Sequence, residues 1–486
     1  MASNNYNPPP SSDDEGGMNR GDAVGSTMYS ECWILKILMQ LTKLNPDEWN
    51  SDLESEVCVL WDMSAEEDVV NLLMKHNMFG LATHVVVNFD NCRLTEIMVG
   101  IIGNMCCVES VRTELGRRTD VVEVLLELLS MPDVPTLLQV LRVLQTCAWD
   151  VKNRSAKSKN GCGVKKAKDD LGNKHESTES SFVKDDISDK DMRSDIQVMS
   201  DDVNMELEVC EDKLSESLST EEGYACQSEK LTKLNESSAA LCEESDHPWL
   251  QHFMKTDLWR SKVLFILTSS KHDELLISAW SFLSTVCYLP IGETVFSQQI
   301  VDTDLMMALV ESYKEFFEES FKTYETNDIE PVKKAASHWV SVLYSFTLHK
   351  EGVEVLCLFK ADVLSCLFNM LHYCHSLLAL DEELATFITS AVAILDVIFA
   401  AEPHEWSHFT SGLLSTIKLW EELSESKSVK LQDNESMHLE EESMNALEEF
   451  FTSVHKWLEE KKTDDSFKKL HFIHKQLSKL LNSRVT

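Results

Sequence analysis

The chain has 486 residues, 43% of them apolar, enough for a sizeable core, and a formal net charge of -38 from 44 Lys and Arg against 82 Asp and Glu. That balance argues against direct binding to a nucleic-acid backbone, which requires clustered Lys and Arg, and favours a basic protein partner if there is one. The first residues, MASNNYNPPPSSDDEGG, are polar, proline-rich and acidic, unlike a signal peptide, so an intracellular chain is expected.

Residues 1–27 have the composition of a disordered tail, and ordered structure is expected from about Met28. WILKILMQLTKL from Trp33 reads as a first helix, and the segments Val57 to Trp61 and Asp68 to Met78 continue in helical period. The stretch around which the rest is organised is RLTEIMVGIIGNMCC, Arg93 to Cys107. Its Leu94, Ile97, Met98, Ile101, Ile102 and Met105 fall at the spacing of an apolar helix face. Gly100 and Gly103 each cost a helix interior about 1 kcal/mol relative to Ala, which suggests close approach of another backbone. Further helical runs start at Val121 and Leu137, separated by Pro132 and Pro135. A helical spacing of about forty residues indicates an α-solenoid, and the phrase DVV at Asp68 and again at Asp120 reads as weak repeat evidence.

From 151 to 246 the composition changes. Lys152 to Lys168 carries seven basic residues and no acidic one, and Asp169 to Asp246 carries 23 acidic and seven basic residues. Such a segment buries too little apolar surface to offset its ordering entropy and reads as a disordered insertion. Lys165, Lys166 and Lys168 in the basic block read as a nuclear import signal or as a solvated charge block. Helical patterning returns over 247–424, where Val263 to Cys287 echoes Val124 to Cys147 in the order helix, polar break, Leu-Leu, helix, Cys. AVAILDVIFAA from Ala391 has eleven residues and contains Asp396, fewer than the roughly 18 that a membrane span needs, so no membrane segment is expected. An acidic linker, 425–442, leads to a terminal helical pair, 443–486, with Met444, Leu447, Phe451, Val454 and Leu458 on one face, either a cap or a partner-binding surface.

Fourteen cysteines without a CxxC pair read as free thiols, and Cys106, Cys107, Cys147, Cys287, Cys357 and Cys366 as small hydrophobes in apolar helical patterns. The sharpest catalytic pattern is HEWSH, in which His404 and His408 stand at i and i+4 about Glu405, the spacing of zinc proteases. Pro403 directly precedes it and no strand-rich segment accompanies it, so the chain is expected to be no enzyme and to need no cofactor or metal; a metalloprotease is the alternative.

Two resemblances add to this reading. VGIIGNMCCVESVRTEL followed by VVEVLLELLSMP resembles the second and third helices of an armadillo repeat running into the next unit, including Gly103, Asn104 and Met105. By that resemblance Asn104 would line a groove and bond an extended ligand, although Gly100 stands where peptide-binding armadillo proteins place a tryptophan. Alternatively, Asn104 bonds a neighbouring helix. GSTMYS at 25 to 30, EVCVLWDMSAEEDV at 56 to 69, RLTEIMVGIIGNMCC and MPDVPTLL at 131 to 138 are together similar, over roughly Gly25 to Asp150 and fading past it, to the SAAL family, serum-amyloid-A-like proteins associated with synoviocyte proliferation. The resemblance implies an armadillo-like, mainly nuclear, non-enzymatic protein that promotes proliferation. The expected fold is therefore all-α, an armadillo/HEAT-like α-solenoid interrupted by a long acidic insertion.

Overall fold

A computed structural model describes residues 22–45, 48–161, 247–290, 300–323, 330–374, 382–401, 410–426, 434–460 and 471–485. The acidic tract, Lys165, Lys166 and Lys168, and the HEWSH residues His404, Glu405 and His408 lie outside the described residues. Two compact units, Met1–Cys147 and Ala148–Thr486, divide the chain.

The first unit contains α1 (Glu31–Thr42), α2 (Ser51–Met63), α3 (Glu67–Lys75), α4 (Met78–Asn88), α5 (Cys92–Met105), α6 (Glu109–Arg117), α7 (Thr119–Leu128) and the start of α8 (Val134–Gly161). Packing repeats with a period of three helices. One row runs α1 on α4 and α4 on α7, a second has α2 on α5, and the short α3 and α6 pack against the helices that follow them. On α8, the Thr136 hydroxyl donates to the Cys92 carbonyl and Arg142 to the Gly100 carbonyl, so this helix extends the second row. The organising stretch is the centre of that row, with Leu94, Ile97, Met98, Ile101, Ile102 and Met105 all buried.

Helices α1, α2, α5 and α8 begin where a side chain replaces the hydrogen-bond partners that a first turn lacks. Ser30 Oγ accepts from Trp33 N, Asn50 from Asp52 N and Leu53 N, Asn91 from Leu94 N, and Asp133 from Thr136 N. Arg112, itself buried, closes the other end of α5 by donating to the Cys106 and Cys107 carbonyls.

The second unit contains the end of α8, then α9 (Pro248–Met254), α10 (Arg260–Ser269), α11 (Asp273–Cys287), α12 (Thr303–Thr323), α13 (Glu330–Thr347), α14 (Lys350–Leu358), α15 (Lys360–Cys374), α16 (Glu382–Ala401), α17 (Thr410–Ser426), α18 (Asn434–Glu460) and α19 (His471–Val485). Here the rows are α10, α12, α15, α17, α19 and α11, α13, α16, α18, each helix packed on the next of its row. Among the described residues α14 alone adds a third helix to a repeat, so this unit is closer to a two-helix, HEAT-like period. Large aromatic rings fill it. Trp249, Trp259, Trp280, Trp339 and Trp420 are fully buried, and Tyr313 stacks on Trp339 with centroids 4.1 Å apart. The Trp339 indole N–H donates to the Leu309 carbonyl (2.9 Å), satisfying the one polar atom that burying an indole strands. Among the described residues the fold is an all-α solenoid, as the periodicity predicts.

Several boundaries differ from the sequence reading. The expected tail ends earlier, because Asp22 to Ser30 is folded. Ala23 pairs with Ser30, Val24 is buried, and Ser26 donates both its N–H and its hydroxyl to Asp68. Gly25 sits at φ +54, and a Cβ there would meet the Asp68 carboxylate at 2.3 Å, so glycine serves this turn twice over. The insertion expected from 151 starts later, since α8 continues to Gly161, and the linker expected over 425–442 is helical in α17 up to Ser426 and in α18 from Asn434. The two DVV phrases mark no repeat, because Asp68 lies on α3 and Asp120 on α7, in non-equivalent positions. The echo of 124–147 in 263–287 is structural, with both pairs forming successive helices, α7–α8 and α10–α11.

The structure bears on three further expectations. Residues 384–401 of α16 are long and apolar enough to cross a membrane by length and composition, because the helix extends the eleven-residue run in its N-terminal direction. In the fold that helix packs on α13 and α18 and buries Phe387, Ile388, Val392, Leu395 and Ile398, as a core helix does. Cys107 is exposed and Cys357 half-buried, so only Cys106, Cys147, Cys287 and Cys366 of the six act as buried hydrophobes. Phe451, Val454 and Leu458 are buried, which makes the terminal pair a packed end of its rows rather than an offered surface.

Candidate functional site

The residue that the sequence singles out, Asn104, lies near the end of α5, half-buried between its row neighbours α2 and α8. Its amide nitrogen donates to the Trp61 carbonyl (2.8 Å) and to the Ser64 hydroxyl (3.2 Å), and its oxygen accepts from Arg142 Nη2 (3.1 Å). Trp61 is three residues before the Ser64 cap of α2, where carbonyls lack helical partners. Asn104 thus caps the preceding helix of its row while Arg142 of the following helix caps Asn104, and both amide hydrogens are engaged within the fold.

Gly100 and Gly103 explain how that chain of contacts fits. A Cβ on Gly100 would come within 2.2 Å of the Trp61 indole, and one on Gly103 within 2.5 Å of Arg142 Nη2. The glycines do mark close approach, but of a ring and a guanidinium rather than of backbone. The tryptophan absent from position 100 by armadillo comparison is supplied over it from α2. Sequence reasoning missed Trp61 and Arg142. The available signal was spacing, since both lie about one repeat from the Gly-Asn-Met triplet.

One helical turn and more toward the start of α5, Arg93 donates to Glu96 (2.7 Å) and Glu54 (3.0 Å) and contacts Cys58 Sγ (3.4 Å). The two carboxylates, Glu96 foremost, hold this guanidinium even more firmly protonated than usual. Trp61, half-buried, and Arg93 and Arg142, each with exposed surface, therefore belong to one row of helices, interleaved with acidic side chains. Trp and Arg are the residue types that dominate protein–protein binding energy. A separate cleft of about 810 Å³ between α1 and α2, lined by Cys32, Lys36, Met39, Lys43, Glu48 and Glu56, brings together no catalytic set.

The folded part of the basic block has structural work of its own. Lys152 lies over the Tyr288 ring, 4.9 Å from its centroid, and Arg154 pairs with Asp150 (3.0 Å). Asp150 also meets His247 (3.3 Å), which ties α8 to the residue that precedes α9.

Comparison with known proteins places a family match in the second unit, past Asp150, where the resemblance read from the sequence fades. Residues 259–486 match the family model described as SAAL1 C-terminal domain. The chain is 37% identical over 153 residues to Protein saal1 of Danio rerio, an alignment covering 29% of this chain and 33% of that one. It is 36% identical over 141 residues to Protein SAAL1 of Homo sapiens, covering 26% and 30%. The chain is similar to SAAL proteins over these segments. Its alignments span about a third of the length of these curated SAAL relatives. Among solved structures, a crystal structure of SYS-1 and a complex of SYS-1 with POP-1 each align with 12% identity over 85% of this chain and 62% of the other, at a TM-score of 0.36. A score this low defines no fold, and the solenoid assignment rests on the packing of the helices themselves.

Proposed function

We propose that this SAAL-like chain is a non-enzymatic protein-interaction scaffold, nuclear and acting in cell proliferation, that holds a partner along the row of α2, α5 and α8. The observation that carries this reading is the surface joined by Asn104, where Trp61 and the exposed parts of Arg93 and Arg142 lie on consecutive helices tied by side-chain hydrogen bonds. Stacked repeats present an extended surface of this kind, and side chains fixed by their neighbours lose little entropy on binding. The net charge of -38 would steer a basic partner toward the chain, through interactions that weaken as salt rises. Asn104 acts in this reading by positioning Trp61 and Arg142.

Nuclear residence would rest on Lys165, Lys166 and Lys168 as an import signal. The test combines proximity labelling in cells of the wild type, a Trp61→Ala, Arg93→Glu double variant and a variant with the three lysines replaced by Ala. The reading expects a set of labelled proteins lost in the double variant with the fold retained, and a shift of the lysine variant toward the cytoplasm. Identical labelling by wild type and double variant would reject the row as the binding surface, and an unchanged distribution would remove the lysines from the account.

A further inference from the structure

The pair α18–α19 closes the second unit by burying Phe451, Val454 and Leu458 against neighbours that include Ile473 and Leu477. An apolar seam of this sort needs no histidine, yet two imidazoles stand within it. His455 and Glu459 are four residues apart and so share a face of α18, and His474 reaches them from α19. The His474 Nε2 is 2.7 Å from Glu459 Oε1, and the His455 Nε2 is 2.8 Å from Ser478 Oγ. The two rings lie nearly parallel, 13° apart, with centroids separated by 4.8 Å. One donor atom from each of the three residues lies within 4.8 Å of the others.

We propose that His455, Glu459 and His474 form a divalent metal site, with zinc as the fitting ion, that staples α18 to α19. Two imidazole nitrogens and one carboxylate oxygen are the donor set of three-ligand zinc sites. Bonds of about 2.0–2.2 Å place tetrahedral donors roughly 3.5 Å apart, so small side-chain adjustments bring this cluster to that geometry. His474 is buried and Glu459 exposed, which puts the fourth coordination position on the solvent side, where water fills it. Contributions from two helices turn ion binding into stabilisation of the helix pair, by the linkage that couples any native-state ligand to folding. The simpler arrangement is the pairing of His474 with Glu459 alone.

The experiment titrates Co²⁺ into the metal-stripped full chain at pH 7.5, followed by Zn²⁺ competition. The comparison proteins are a His455→Gln, His474→Gln double variant and a Glu459→Gln single variant. The expected result is one equivalent of Co²⁺ with the visible absorption of tetrahedral N/O coordination, displaced by Zn²⁺. Affinity should fall by at least about tenfold in the double variant, and Zn²⁺ should slow hydrogen exchange in 443–485 of the wild type alone. The Glu459→Gln change is at an exposed side chain and leaves the apolar seam intact, so weakened binding there, with the wild-type circular dichroism, counts for the site even if the double variant unfolds. Equal Co²⁺ affinity and spectrum in the wild type and in the Glu459→Gln chain, or no tight equivalent in the wild type, would overturn the proposal and leave that pairing.

Discussion

Replacing Asn104 with Ala removes the tie that joins three consecutive helices of the first unit, and the structure fixes how much that should cost. Three hydrogen bonds disappear, two donated to α2 and its cap and one accepted from a guanidinium. None of the partners is orphaned. The Trp61 carbonyl keeps the Ser64 hydroxyl (2.6 Å), and Arg142 keeps the Gly100 carbonyl (3.0 Å). The loss therefore falls at the lower end of what three such bonds contribute, about 2 kcal/mol in place of the 3–5 kcal/mol expected if partners were stranded. Because the chain folds as two units, a single melting temperature would mix their responses, and hydrogen exchange resolved by segment is the suitable assay. Protection in 51–64 and 92–105 should fall about thirtyfold relative to wild type, while segments of the second unit such as α13 stay unchanged. An Asn104→Asp variant keeps the acceptor toward Arg142 but sets a carboxylate against the Trp61 carbonyl, so it should lose nearly as much. If Asn104→Ala leaves protection of α2 and α5 intact, the hydrogen bonds do not hold the row together and the reasoning from geometry fails.

Gly352→Ala should destabilise by about 3 kcal/mol, more than Gly100→Ala, because an added Cβ meets the Phe346 backbone oxygen at 2.1 Å in the first case and a movable indole in the second; chemical denaturation of both variants would show it, and equal midpoints would contradict it. Burial pushes the Cys287 and Cys366 thiols up to about 12, so peptide mapping after iodoacetamide at pH 8 should find them unmodified in the folded chain while exposed Cys107 reacts. The His338 imidazole is pushed down to about 4 from its ordinary 6.5 by burial and then by Lys334. The unfolded chain thus binds this proton more readily, and the stability that the neutral ring supports is present above pH 6.5 and is lost as pH falls toward 4. A His338→Gln variant should show a shallower loss over that window in urea unfolding, and an unchanged slope would rule out His338 as its source.

Much of the architecture was legible because helical periodicity reports directly on which side chains are buried. Every apolar position read from the organising stretch is in the core, and the echo between 124–147 and 263–287 corresponds to equivalent helix pairs. The short helices α6 and α14 show no period of their own, since nine residues hold too few apolar positions. The resemblance to SAAL proteins read from the sequence rests on segments whose roles are visible only in three dimensions. GSTMYS makes the Gly25 turn and the α1 cap, EVCVLWDMSAEEDV supplies Trp61, Ser64 and Asp68, and MPDVPTLL holds the Asp133 cap of α8. Pairings such as Asn104 with Arg142 cross about forty residues, and no local pattern encodes which side chains will meet at that distance. His455, Glu459 and His474 escaped notice for the same reason, the third residue coming from a different helix.

Cross-linking mass spectrometry on the chain bound to a partner recovered by proximity labelling tests the scaffold account most directly, since it shows where on the solenoid the partner sits. The account predicts partner cross-links at residues flanking the row of α2, α5 and α8, such as Glu54, Arg93 and Glu96, at low salt, with their yield falling as salt is raised and lost in the Trp61→Ala, Arg93→Glu variant. Cross-links confined to the second unit, or unchanged by that variant, would contradict it.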